Sequence, residues 1–290
     1  MPRIPFLLLA FTFITISFNS IAQKQILFFQ TDWGNELPID DFLAKTKTAG
    51  YDGIEVWMPG SDEARQKLKA GLEKYDLKII FLHGTNKGLP FEEALKAYED
   101  GLKYIHTWNP VKVNSHTGND FWTLEQNLAF LQAGQKIADE AGIPLIHETH
   151  RARFSYSLPA TLEMLEAFPE LKLTLDISHW MVVHERLLQK NDPFLQPILP
   201  QVDHIHARVG FAEGPQVNNP AAPEWNRAVA VHVDIWKEII QNYPGDVFTI
   251  TTEFGPPPYL PTVPFSNVPI ADQWAANVYI KDLIKASLND

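Results

Sequence analysis

The chain has 290 residues, 45% of them hydrophobic and 20% charged, enough for one large core and a usual size for an α/β barrel folded as a single domain. Its formal net charge of −11 argues against a nucleic-acid backbone as partner, because surfaces that bind one are basic, and fits a neutral or cationic small molecule. With no cysteine, the chain has neither a disulfide framework nor a lipid attached to an N-terminal Cys.

The first segment reads as an export signal. Arg3 precedes an apolar run from Pro5 to Phe18, and Ser20-Ile21-Ala22 supplies the small residues a signal peptidase needs, so cleavage is expected after Ala22. The run is shorter than the roughly 20 residues of a bilayer span. The expectation is a signal peptide over 1–22, one domain over 23–290, and a periplasmic or secreted protein with no stable membrane insertion.

From there a strand-helix pattern repeats to the end, the sign of a parallel sheet with helical crossovers. Strands are expected at Gln25 to Gln30, Gly53 to Trp57, Leu77 to His83, Val111 to His116, Ile143 to Glu148, Leu171 to Asp176, Val202 to Arg208 and Val247 to Glu253. Between them fall amphipathic stretches such as 124–141, where Leu124, Leu128 and Leu131 recur at helical spacing and Gly142 closes the run. Eight strands alternating with eight helices predict a (β/α)8 TIM barrel, and no glycine-rich fingerprint follows any strand to suggest a dinucleotide site. Two long loops, Gly210 to Asn226 and the six-proline Phe254 to Ile270, fall at the C-terminal rim, where substrate selection normally sits.

Four strands stop on chemistry. In LKLTLDISHW the leucines alternate with Lys172, Thr174 and Asp176; IPLIHE ends at Glu148, VDHIHAR carries His206, and VFTITTE ends at Glu253. Three carboxylates and an imidazole at one barrel mouth would repel as acids alone, and a dication removes that penalty. The donor set suits manganese, magnesium, cobalt or zinc. The competing reading is that each acid merely caps the helix after its strand.

Around them, His83 and His116 end strands three and four on the expected rim, as candidates to bind substrate hydroxyls, and Arg151 follows strand five while Arg208 ends strand seven, each placed to hold a carboxylate or polarised oxygen or to pair with one of the acids. His179 either touches substrate or metal or simply begins helix six. Glu55 is placed like the other acids or satisfies a neighbouring strand. His204, one pleat below His206, reads as a core histidine, and His147 as pointing towards the helices. Trp33, Trp57, Trp122, Trp180 and Trp225 lie near strand ends or rim loops and include candidate sugar-stacking walls.

GIEVW, HETHRAR, LDISHW, HIHARVG and TTEFGP together resemble the xylose-isomerase-like TIM barrels, the sugar isomerase and epimerase superfamily, over essentially the whole chain after the signal. The resemblance implies one divalent metal on Glu148, Asp176, His206 and Glu253, with His179 contacting substrate. Where ketose 3-epimerases of that superfamily carry a Glu and then an Arg shortly after the strand-seven His, this chain has Ala207-Arg208-Val209-Gly210, and it looks more like an exported branch. The expected activity is metal-dependent isomerisation or epimerisation of an unphosphorylated carbohydrate. In it the dication would hold adjacent oxygens and stabilise an enediolate, while Glu148 and Glu253 pass the proton. Alternatives are a lyase or dehydratase acting on a keto-sugar or keto-glycoside, and a non-catalytic carbohydrate-binding barrel.

Overall fold

The structure, a computed structural model, describes residues 24–288; the expected signal peptide lies outside them. Eight parallel strands close into a barrel in chain order: β1 (Gln25–Thr31), β2 (Gly53–Trp57), β3 (Lys78–Gly84), β4 (Lys112–His116), β5 (Leu145–Glu148), β6 (Leu173–Leu175), β7 (Val202–Ala207) and β8 (Val247–Thr252). Helices α1 (Ile39–Thr48), α2 (Asp62–Tyr75), α3 (Phe91–His106), α4 (Leu124–Ala141), α5 (Leu158–Ala167), α6 (Ile177–Val183), α7 (Asn226–Asn242) and α8 (Gln273–Ser287) follow the strands in turn. The expected (β/α)8 alternation is present, with element ends shifted by a residue or two. Helix α6 is the exception: it stops after seven residues, and turns with one short 3-10 helix at Leu199–Gln201 lead to β7.

Local chemistry sets these boundaries. Thr123 and Gln126 form a reciprocal capping box at the start of α4, and Gly142 ends that helix in the left-handed region at φ 66°, where a side chain would be strained. Ser61, Ser157 and Asp272 cap α2, α5 and α8 through their side chains.

The strands bury both faces. Outward residues such as Phe81, Val113, Leu173 and Ile250 pack under the helices. Inward residues change character with depth: Leu27, Phe29 and Ile80 form a small apolar plug, and Lys112 closes the floor by donating to the Asp203 carbonyl at 2.7 Å. Above that plug the inward positions turn polar, because the same period of two brings Glu55, Asn114, Thr174, His204 and Thr249 inside.

The outer layer holds one titratable contact with a clear consequence. His232 of α7 is fully buried, its Nδ1–H donating to the Ala228 carbonyl at 2.8 Å and its Nε2 accepting from the Gly210 N–H at 3.1 Å. Only the neutral ring satisfies both, and burial pushes its pKa down to about 4 from the ordinary 6.5. The unfolded chain therefore takes up this proton at higher pH than the folded chain does. Its stabilising effect is complete above the unfolded value and is lost as pH falls through that interval, by at most about 1.4 kcal/mol per pH unit. Thermal melts should show Tm falling as pH is lowered from 6.5 towards 4, and His232→Gln, less stable at neutral pH, should show a shallower fall over that window.

Candidate metal centre

At the C-terminal mouth, one ligand atom from each of Glu148, Asp176, His206 and Glu253 lies within 4.8 Å of the others, and all four residues are buried. Each arrives by a separate strand end. Glu148 is the last residue of β5. Asp176 follows β6 and caps α6, its Oδ1 accepting the Ser178 N–H at 3.0 Å, so the capping role and the site role belong to the same side chain. His206 lies inside β7 opposite Thr251, and Glu253 follows β8. Gly210 lets the chain after β7 lie against the start of α6, since a Cβ there would sit 2.7 Å from the Ser178 Cβ.

Below these four lies a hydrogen-bonded floor. Glu55 of β2 holds His206 Nε2 at 3.0 Å and His204 Nε2 at 3.2 Å, and accepts the Thr251 hydroxyl. Asn114 of β4 donates to Glu55 Oε1 at 2.9 Å and Glu148 Oε2 at 3.2 Å, while its carbonyl accepts the Thr174 hydroxyl at 2.8 Å and so fixes the amide. His204 is a core histidine on Thr249, at 2.7 Å, and His147 points outward to Thr117.

The electrostatics follow from crowding. Burial alone would raise the Glu148 and Glu55 carboxyls, but His116 and His206 beside the first, and His206 and His204 beside the second, hold both well below the usual carboxylate range. Burial alone would strip His206 of its proton, but Glu253, Glu55 and Glu148 push its pKa well above the usual value. Asp176 is raised to about 6 by burial, against the pull of Arg208.

Three atoms of this cluster are buried without any hydrogen bond: Glu148 Oε1, His206 Nδ1 and Glu253 Oε2. His206 Nδ1 lies 3.1 Å from Glu253 Oε2 and 3.4 Å from Glu148 Oε2, close enough for attraction but out of line for a hydrogen bond. Buried polar atoms left unpaired are costly, and carboxylate and imidazole atoms converging on one point fit a divalent cation with oxygen and nitrogen preference.

A cavity of about 200 Å³ opens above the cluster. His116 and Arg208 line it; His116 also binds Glu148 Oε2 at 2.6 Å, and Arg208 is ion-paired with Asp176. Trp33 and Trp57 form walls, whereas Trp122 packs on Phe91 and Phe130, Trp180 is core, and Trp225 packs on Phe211.

The structure corrects the placement of His83 and sets His179, within 4.8 Å of Glu148 and His150, and Arg151 behind the cavity wall. His83 is not at the rim: Leu82 takes the inward position of β3, and His83 faces α3, where its Nε2 meets the Tyr98 carbonyl at 2.9 Å over the space left by Gly101. His179 is wholly buried, its Nδ1 accepting from Arg151 Nε at 3.0 Å and its Nε2 lying 2.9 Å from Arg208 Nη2. Arg151 also donates to the Tyr259 hydroxyl at 3.0 Å. Neither His179 nor Arg151 lines the cavity; they brace the groups that do.

Sequence reasoning missed Asp32, His150 and Tyr259, all on the cavity wall. His150 shares the face of Glu148 two residues on, a period-two signal that could have found it; its ring stacks 4.8 Å from that of His116. Asp32 lies just past β1 and Tyr259 in the proline-rich loop, where no periodicity reaches.

The sequence model of a family described as xylose isomerase-like TIM barrel matches residues 43–217. No curated protein sequence matches the chain. Among solved structures, a D-tagatose 3-epimerase-like protein matches with TM-score 0.63 at 15% identity, over 91% of this chain and 97% of that one. A xylose isomerase-like TIM barrel protein from Mycobacterium smegmatis in complex with magnesium gives TM-score 0.63 at 13% identity, over 91% and 98%. A probable 3-DHS dehydratase from Bacillus anthracis gives 0.57 at 17%, over 90% and 98%. At these identities the likeness is one of fold.

The raised pKa of His206 fixes a proton count. A ligating imidazole must be neutral at the ligating nitrogen, so a cation bound to His206 near neutral pH would expel its proton, and affinity would rise with pH until the folded pKa is passed. Titration calorimetry with Mn2+ at pH 7, in two buffers of different ionisation enthalpy, should report release of about one proton per ion. Uptake, or no exchange, would contradict a protonated His206 in the ion-free protein.

Proposed function

The chain belongs to the xylose isomerase-like TIM barrel family, and from that premise we propose that it is a divalent-metal-dependent isomerase or epimerase of an unphosphorylated carbohydrate. The observation that carries this reading is the convergence of Glu148, Asp176, His206 and Glu253 beneath a cavity walled by two indoles. Fold relatives support it, one being a D-tagatose 3-epimerase-like protein and another a complex with magnesium. A cation on those four residues, of manganese, magnesium, cobalt or zinc type, would supply Lewis-acid polarisation of a substrate carbonyl.

The remaining work falls to the chain's own groups. Glu148, kept ionised by His116 and His206, is the base that takes a proton from the carbon beside the carbonyl. His116, 2.6 Å from Glu148 Oε2, steadies that carboxylate and gives its proton a way out. Glu253, on the cavity wall, returns a proton taken from solvent on its own side. Trp33 and Trp57 offer apolar faces to a ring, and Tyr259 and Arg208 border the same space. Arg208 is the one Lys or Arg among the described residues that line the cavity, which disfavours a phosphorylated substrate. The N-terminal segment supports action in the periplasm or outside the cell, where free sugars are the accessible substrates.

A second reading, elimination from a keto-sugar or keto-glycoside, is favoured by Asp32. Burial, with Glu55 adding, pushes this cavity-wall carboxyl up to about 6, so it can hold a proton for a departing oxygen. Products separate the two: a rearranged sugar in the first case, an unsaturated one in the second.

Glu148→Gln should lower solvent-deuterium incorporation into a substrate sugar by about 10²-fold or more, followed by NMR, while the protein still takes up Mn2+. Unchanged incorporation would remove Glu148 from the proton transfer.

A further inference from the structure

The four converging residues are not equivalent. Glu148 Oε1, His206 Nδ1 and Glu253 Oε2 carry no hydrogen bond, whereas both oxygens of Asp176 are engaged. Oδ1 accepts from the Ser178 N–H at 3.0 Å and from its hydroxyl, and Oδ2 is held by Arg208 Nη2. The same guanidinium places Nη1 3.6 Å from Glu253 Oε2, and its Nε donates to Ser178 Oγ at 3.2 Å. Three ligands stand open, and a cation belonging to the protein itself holds the fourth.

We infer that Arg208 and a divalent ion compete for Asp176, so that Arg208 sets the affinity of the centre for its ion and is turned towards the cavity when the ion binds. The inference rests on the metal reading above and adds the residue that opposes the metal. A dication bound at Asp176 and Glu253 would face a guanidinium in contact with the first and near the second, and like charges at that distance in a buried site repel strongly. The guanidinium already lies against the cavity wall and would stay in contact with it after leaving Asp176. Its carbon lies 4.8 Å from the ring centroid of Tyr259 and 5.7 Å from that of Trp33, both on the cavity wall, and aromatic faces attract a cation. Freed from Asp176, its planar fork of N–H donors faces the space where a polarised oxygen would lie. Ion binding thus precedes and prepares substrate binding. The rival role for Arg208, a fixed brace that orients Asp176 for the ion, predicts the opposite sign, since loss of such a brace weakens affinity.

The test titrates Mn2+ into the wild-type protein and into Arg208→Gln and Arg208→Met by calorimetry, with folding checked by thermal melts. Competition predicts that both variants bind Mn2+ roughly tenfold or more tightly than wild type, because a positive charge has left the site. Equal or weaker binding in folded variants overturns the inference while leaving the metal centre intact, and no binding of Mn2+ by wild type overturns the metal reading itself. Should the buried arginine prove necessary for folding, the wild-type protein decides the matter alone. Saturation with Mg2+ should change Trp33 fluorescence, read as the difference from Trp33→Phe, and an ion-saturated protein with unchanged Trp33 emission overturns the displacement.

Discussion

The constraint on which the rest of the structure depends is the burial of Glu55, Glu148, Asp176 and Glu253 around one imidazole. Burial alone would drive Glu55, Glu148 and Asp176 towards their neutral forms, and Glu148, Asp176 and Glu253 lie close enough to bear on one another. His206 answers this by facing Glu55 through Nε2 and both Glu148 and Glu253 through Nδ1, so one cationic ring is shared among three acids. Arg208 does the same for Asp176 and, at longer range, Glu253. An arrangement held by shared cations is poised for exchange of one cation for another, which a centre built only from hydrogen-bonded neutral groups is not.

The scaffold makes that arrangement affordable by assigning each polar atom beneath the acids a partner. Asn114 spans Glu55 and Glu148 while Thr174 fixes its carbonyl, and Thr251 and His204 hold the second oxygen of Glu55. The unpaired atoms of the cluster are Glu148 Oε1, His206 Nδ1 and Glu253 Oε2, and of these residues Glu253 lines the cavity.

Strand periodicity made the barrel and the converging residues legible, because a face that alternates every two residues leaves Glu148, Asp176, His206 and Glu253 inward once the strand ends are placed. The same rule misplaced His83. Reading its strand as ending on an inward histidine inverted the parity that Ile80 and Leu82 set, and the room Gly101 leaves for that ring on α3 is a tertiary fact with no local signature. His179 and Arg151 fell near the site but behind its wall, since spacing gives proximity and not which groups will claim a ring's nitrogens. Of the five tryptophans near strand ends, only Trp33 and Trp57 reach the cavity, because an indole at a rim serves core and mouth equally well until the loops are placed. Asp32 and Tyr259 come from irregular chain, where no period exists to read.

The pair β7 and β8 shows how so few residues set the chemistry. His204 and His206 climb one face at an interval of two, roughly 7 Å per step, with Thr249 and Thr251 beside them in register, and Arg208 and Glu253 follow just past the two strand ends. At the bottom an imidazole meets a hydroxyl, at 2.7 Å, and the contact is structural. One step up, His206 meets the carboxylates of the centre, and at the top a guanidinium meets Asp176 and Glu253 at the cavity edge. Depth therefore selects function along a single strand, from packing through cation binding to contact with the cavity. A slip of one residue in this pairing would send His206 and Arg208 under the helices together, which ties the register of two strands to the existence of the site.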